Sequence, residues 1–220
     1  KEKMWSQSHT VAATEDLCTC TCPTRAVTPP PLPTSLPHHI TPEDPDAPAQ
    51  LKQWLLNYYA SSTFNTCQHQ KLPLMAGPPL KLYIDPTATP VACHKINPVP
   101  LHWKPKVKAD LDRDVALGVL ARVPTNTPVA WLSRMVVTAK ANGDPRRTVD
   151  FQPLNKHSTR QTFPIQSPFQ LASQIPLNMW KTVVDCWNGY HSVPLDPQDR
   201  HYTTFNTEWG RYYYLVTPQG

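Results

Sequence analysis

The chain has 220 residues and a formal net charge of +5, enough for one domain with a sizeable core, or for one domain and a long arm. No run approaches the roughly 18 apolar residues that a membrane span requires, and the opening KEKMWSQSHT lacks the apolar core of a signal peptide. Neither a membrane partner nor secretion is expected; the expected location is intracellular, cytoplasm or nucleus.

Proline and charge divide the sequence. Of 27 prolines, about twice the usual share, sixteen fall in residues 1–100. That half balances seven Lys/Arg against seven Asp/Glu. Residues 101–220 hold fourteen against nine, so the whole excess sits there. A basic half suits a polyanionic partner, although ordinary solubility charge accounts for it equally well. Six cysteines in 220 residues do not make a disulfide scaffold. Cys18, Cys20 and Cys22 have no zinc spacing, and Cys93-His94 completes none. Position 1 is not Met, and the chain is expected to be a piece of something longer.

Residues 1–48 read as a proline-rich, disordered arm. The run Thr28-Pro29-Pro30-Pro31-Leu32-Pro33 disfavours helix and removes backbone donors. It reads as a spacer before it reads as a ligand for a partner module. Residues 49–97 read as a connector with one amphipathic helix. Leu51, Trp54, Leu55, Tyr58 and Tyr59 recur at three-and-four spacing, and Asp46 followed by Pro48 is a start signal. Residues 80–85, LKLYID, alternate as a strand would.

From residue 98 the texture changes. Val107, Leu111 and Val115 predict a helix over 106–117, stopped by Gly118. Residues 119–128 read as a connection. Residues 134–140, RMVVTAK, read as a strand, 141–145 as a turn with Asn-Gly as its hairpin signal, and 146–151, RRTVDF, as the returning strand. Residues 168–175 read as a helical turn that packs Phe169 and Leu171. A buried strand, 182–184, then ends on Asp185. Residues 196–200 read as a turn, 202–207 as a strand, Trp209-Gly210 as a turn and 211–217 as the last strand.

Three features thus follow in order: a basic hairpin with Lys140, Arg146 and Arg147, a strand delivering Asp185 with Tyr190 five residues on, and a strand running into Thr217-Pro218-Gln219-Gly220. Singly each has a bland reading. Hairpin charges are usually solvated, an Asp after a strand usually starts a turn, and a tyrosine such as Tyr190 is usually core.

Together, VDFQPLN at 149–155, VVDCWNGYHSVPL at 183–195, TTFNTEWGRYYYLVTPQG at 203–220 and LDRDVALGVL at 111–120 resemble the fingers and first palm segment of reverse transcriptases of gypsy-type long-terminal-repeat retrotransposons. The resemblance covers roughly residues 98–220. It implies an α+β fold, part of a right-hand polymerase, with residues 98–220 as the N-terminal part of that domain. It implies RNA-directed DNA polymerisation, with deoxynucleotides added to a primer 3′-hydroxyl by two-metal phosphoryl transfer. By resemblance Asp185 is the first catalytic carboxylate and a ligand of Mg2+ (or Mn2+), two ions in the complete enzyme. Lys140 and Arg146 match residues that grip the triphosphate, an Arg fork suiting phosphate oxygens and a Lys acting as a point charge. Cys186, Trp187, Asn188 and Gly189 would face the deoxynucleoside triphosphate. Tyr190 would lie under the sugar, and Gln219 would contact it. The implied partners are RNA/DNA template-primer, deoxynucleoside triphosphates and the rest of a Pol polyprotein, namely the remaining palm, thumb and ribonuclease H. No Tyr-x-Asp-Asp motif occurs in these residues, so the segment is expected to be truncated and inactive alone. The alternatives are a non-catalytic nucleic-acid-binding module derived from a retrotransposon and, more weakly, an interaction protein acting through the arm.

Overall fold

The computed structural model describes residues 30–35, 37–41, 43–62, 71–160, 162–179, 186 and 188–219. It divides into two compact units, Lys1–Gln70 and Lys71–Gly220.

The first unit carries α1, Ala47–Tyr58. Asp46 occupies its N-cap and a proline its first turn, where the missing N–H costs no helical hydrogen bond. Lys52, Gln53 and Asn57 are exposed, while Leu51, Trp54, Leu55 and Tyr58 are partly covered, so the predicted stripe is real. Trp54 and Tyr58 stack with ring centroids 5.1 Å apart, and the Tyr58 hydroxyl donates to the Pro31 carbonyl at 3.0 Å. Most of the predicted arm, residues 1–29, 36 and 42, lies outside the described residues.

The second unit is built on a five-stranded sheet. Its strands are β1 (Leu120–Arg122), β2 (Ser133–Ala139), β3 (Pro145–Asp150), β4 (Phe205–Thr207) and β5 (Gly210–Tyr214), in the order β1-β5-β4-β2-β3. Among the strand pairs of the described sheet, only β2–β4 is parallel. The predicted hairpin forms with Ala139 opposite Pro145 and Arg134 opposite Asp150. Its proline is tolerated because β3 is the edge of the described sheet. α2, Lys104–Ala116, starts two residues before the predicted helix and stops before Gly118, whose φ of +71° suits a glycine. Val107 and Leu111 are fully buried from α2. They meet Leu120, Phe205 and Tyr212 in one apolar cluster.

Several predicted elements differ. Residues 80–85 form no regular strand. They make two isolated bridges, Leu80 to Leu195 and Ile84 to Ser158, because Pro79 and Pro86 remove the flanking donors. The predicted connection 119–128 contains β1, whose three residues pair with Tyr212–Tyr214 and are too few to show alternation. Residues 202–207 are strand only from Phe205, because Arg200–Thr203 form a 3-10 turn. The last strand ends at Tyr214 and is followed by a single bridge, Val216 to Pro194. α3, Gln152–Asn155, interrupts the connection after β3. α4, Pro168–Ser173, forms at the predicted place, started by a Ser167–Gln170 capping box. It does not pack its apolar residues: Phe169 is 87% exposed. The expected strand 182–184 lies outside the described residues.

The sequence reading changes domain at residue 98, whereas the second compact unit begins at Lys71. Residues 71–97 lie along the unit without helix or regular strand, bent at 76–78 and turned at 86–88. The Met75 N–H donates to Ser192 at 2.7 Å, Cys93 to Leu132 at 2.8 Å and Thr159 to Tyr83 at 2.7 Å.

Candidate nucleotide-binding cleft

The β2–β3 hairpin turns through residues 140–144. The Lys140 N–H donates to the Asp144 carbonyl at 2.8 Å and the Gly143 N–H to Lys140 at 2.9 Å. Gly143 has φ +82°, a conformation glycine adopts without strain. The predicted Asn-Gly signal is therefore carried by the residue that needs it.

Further along the chain, Asn188 adopts a left-handed conformation, φ +49°, which Asn tolerates better than most residues. It leads into the 3-10 turn Gly189–Ser192, where the His191 N–H donates to Asn188 at 2.8 Å. A side chain at position 189 would bring its Cβ to 3.0 Å from the Cys186 Cβ, a tight contact that Gly189 avoids. After β5, the Thr217 N–H donates to Val193 at 2.9 Å and aligns the segment that carries Gln219.

These elements enclose a cleft of 230 Å3. α2 supplies Asp110, Arg113 and Asp114, and the hairpin supplies Lys140 and Pro145 through Thr148. Asn188, His191, Tyr214 and Gln219 complete the lining. Four of the predicted residues, Lys140, Arg146, Asn188 and Gln219, are thereby brought together. Cys186, Gly189 and Tyr190 adjoin Asn188 in the chain but do not line the cleft. Asp185 and Trp187 lie outside the described residues. Tyr190 is 58% exposed, so it is not a core residue.

The lining carries four cations against two carboxylates. Asp110 pairs with Arg113 at 2.8 Å, and Asp114 pairs with both Arg113, at 3.4 Å, and Arg147. Lys140 and Arg146 form no ion pair among the described residues, which leaves the excess positive charge at the hairpin. Burial holds the His191 imidazole below its ordinary pKa, with Asp114 opposing and Arg147 reinforcing that shift. His191 therefore enters the cleft as a neutral ring at neutral pH.

Asp110, Arg113, Asp114 and His191 do not emerge from the sequence as site residues. One signal is present. Asp114 follows Leu111 by three positions and Val107 by seven, which puts a carboxylate on the apolar stripe of the helix. Among the described residues no three His, Cys, Asp or Glu side chains cluster to hold a metal ion. A larger cavity, 310 Å3, is lined by Val123, Pro124, Pro128, Pro197, Arg200, Tyr213 and their neighbours. It contains none of the predicted residues.

No protein-family model matches the chain. Curated relatives do. The chain is 27% identical over 100 residues to the Retrovirus-related Pol polyprotein from transposon gypsy of Drosophila melanogaster, covering 46% of this chain and 10% of that protein. It is 27% identical over 139 residues to the Pro-Pol polyprotein of feline foamy virus, covering 59% and 12%. It is 29% identical over 134 residues to the Gag-Pol polyprotein of baboon endogenous virus, covering 60% and 7%. The chain thus spans about a tenth of the length of the curated relatives it matches. Among solved structures, the prototype foamy virus protease-reverse transcriptase superposes with a TM-score of 0.66 and 22% identity, over 82% of this chain and 23% of that one. The foamy viral protein in complex with double-stranded DNA gives 0.66 and 20%, over 82% and 30%.

Proposed function

We propose that this chain, a relative of retroelement Pol polyproteins with the fold of part of a reverse transcriptase, forms the fingers and first palm segment, residues 98–220, of an RNA-directed DNA polymerase. The observation that carries the reading is the convergence of Lys140, Arg146, Asn188 and Gln219 on one cationic cleft. A polyphosphate needs such a place: guanidinium and ammonium groups fixed on a rigid hairpin, with polar side chains facing them. Arg146 and Lys140 bind the triphosphate oxygens, Asn188 brings backbone close to it, and Gln219 meets the sugar. Tyr190 stands exposed beside them as the surface under that sugar.

The divalent ion belongs with Asp185, which is outside the described residues. The described side chains suit phosphate oxygens rather than a metal ion. Their part in the reaction is to hold the triphosphate, orient it and offset its charge. Template and primer are the proposed nucleic-acid partners, and solved relatives are complexes with DNA and with an RNA/DNA hybrid. Further Pol segments would supply the remaining carboxylates.

The test is binding. The chain should take up a deoxynucleoside triphosphate, and Lys140→Ala with Arg146→Ala should weaken it by on the order of a hundredfold, the loss of two charge-assisted contacts of about 1.5 kcal/mol each. In a polymerase that includes the downstream Pol sequence, Asp185→Asn should abolish primer extension. Triphosphate affinity unmoved by the double substitution would remove the cleft from the reading.

A further inference from the structure

Asp114 is 6% exposed on the packed stripe of α2. Isolated there, a carboxylate would be costly. It accepts from Arg147 Nη2 on one oxygen and from Arg113 Nη2 on the other. The Arg147 side chain is 13% exposed, and its Nη1 is buried with no hydrogen-bond partner among the described residues. A buried ion pair with an unsatisfied donor is a poor source of stability, since well-packed apolar groups of similar volume do as well or better. What the pair supplies is position. β3 is an edge strand of the described sheet, and of residues 138–146 only Pro145 is buried. Among the described residues, two ion pairs join this outer hairpin to α2: the exposed Lys106–Asp144 pair and the buried Asp114–Arg147 pair. The buried one is adjacent in sequence to Arg146 and borders the same cleft as His191 and Gln219.

We propose that Asp114 is a positioning residue for the cleft. Its hold on Arg147 fixes the outer hairpin against α2, and so sets where Lys140 and Arg146 stand relative to Asn188 and Gln219. The ligand side of this inference rests on the phosphate-site reading above. The mechanical side does not.

The experiment uses the 220-residue chain and three readouts: melting temperature, hydrogen exchange of the hairpin amides, and calorimetric binding of inorganic tripolyphosphate. Asp114→Asn should speed exchange at Lys140 and Gly143 and weaken tripolyphosphate by about tenfold, even though the lost negative charge would by itself tighten an anion; tighter binding would overturn the proposal. Asp114→Leu with Arg147→Met removes both charges and refills the space. It should restore hairpin protection, the readout kept for this variant because Arg147 is itself one of the cations that line the cleft. A lower melting temperature in Asp114→Asn, with hairpin exchange and affinity unchanged, would reduce the pair to a structural contact and overturn the proposal. Should Asp114→Asn fail to fold, Arg147→Lys keeps the charge on a single nitrogen, and exchange and affinity should again shift together; if neither moves, the proposal falls. A wild-type chain that binds no tripolyphosphate would remove the phosphate-site reading, while the exchange comparison would still decide the role of Asp114.

Discussion

Lys106 and Asp144 meet at 2.6 Å and tie the first turn of α2 to the tip of the β2–β3 hairpin. Both side chains are well exposed, 52% and 42%, and the hydrogen bond from Lys106 is the main cause of the lowered Asp144 pKa. Exposed pairs are screened by salt and contribute little. Lys106→Ala should leave the melting temperature nearly unchanged. Its effect should appear in hydrogen exchange at the turn, faster in the variant at low salt and equal to wild type at high salt. A large loss of melting temperature would show that this bond, rather than Asp114–Arg147, anchors the hairpin.

His191 gives the fold a dependence on pH. Its folded pKa is below the ordinary 6.5 because burial disfavours the imidazolium, and the groups facing it are Asp114 from α2 and Arg147 from β3. Above about pH 7 both folded and unfolded states carry the neutral ring, and the contribution vanishes. As pH falls through 6.5 the unfolded chain takes a proton that the folded one resists, so stability falls toward acid. Melting should be flat from about pH 8 to 7 and decline from about 6.5 to 5.5. His191→Phe, a ring of similar size without the proton, should flatten that decline. An unaltered profile in the variant would assign the acid sensitivity to other groups.

The elements legible in the sequence are those with a local cause. α1 and α2 each have an apolar stripe, a proline in the first turn and, for α2, a terminating glycine. The β2–β3 hairpin has alternation around Asn142-Gly143. β1 is not legible, because three residues become a strand only when Tyr212–Tyr214 lie beside them. Residues 80–85 alternate as a strand does, yet prolines on both sides confine them to isolated bridges. At the site, Lys140, Arg146, Asn188 and Gln219 stand out through motif resemblance. The Asp114–Arg147 pair does not, because it joins residues 33 positions apart and only the packing of α2 against β3 brings them together. Phe169 departs in the opposite direction: its helical turn suggests a packed ring, and the ring is exposed.

The core makes a plain prediction about the second unit. Leu111 is 0% exposed and shares its cluster with Phe205 and Tyr212. Leu111→Ala removes its packed methyl groups and leaves a cavity, a loss of about 2–5 kcal/mol. Chemical denaturation should show a lower midpoint with an unchanged slope. A loss below about 1 kcal/mol would mean that the surrounding side chains collapse into the gap.

Tyr190 separates a site role from a structural one. At 58% exposure its ring adds little to packing, so Tyr190→Ala should change stability by no more than about 0.5 kcal/mol, as surface substitutions do. Under the proposed function the ring occupies the space that a ribose 2′-hydroxyl would need, and a clash built against the wrong substrate is a route to specificity. In a polymerase that contains this segment, truncation opens the space. The ratio of kcat/KM for ribonucleotide over deoxynucleotide should then rise by on the order of tenfold to a hundredfold, the scale on which one small group in a pocket discriminates. Deoxynucleotide incorporation should fall less, because the triphosphate contacts through Lys140 and Arg146 are untouched. If the ratio stays constant while both substrates weaken alike, Tyr190 supports the turn that presents Asn188 and does not read the sugar.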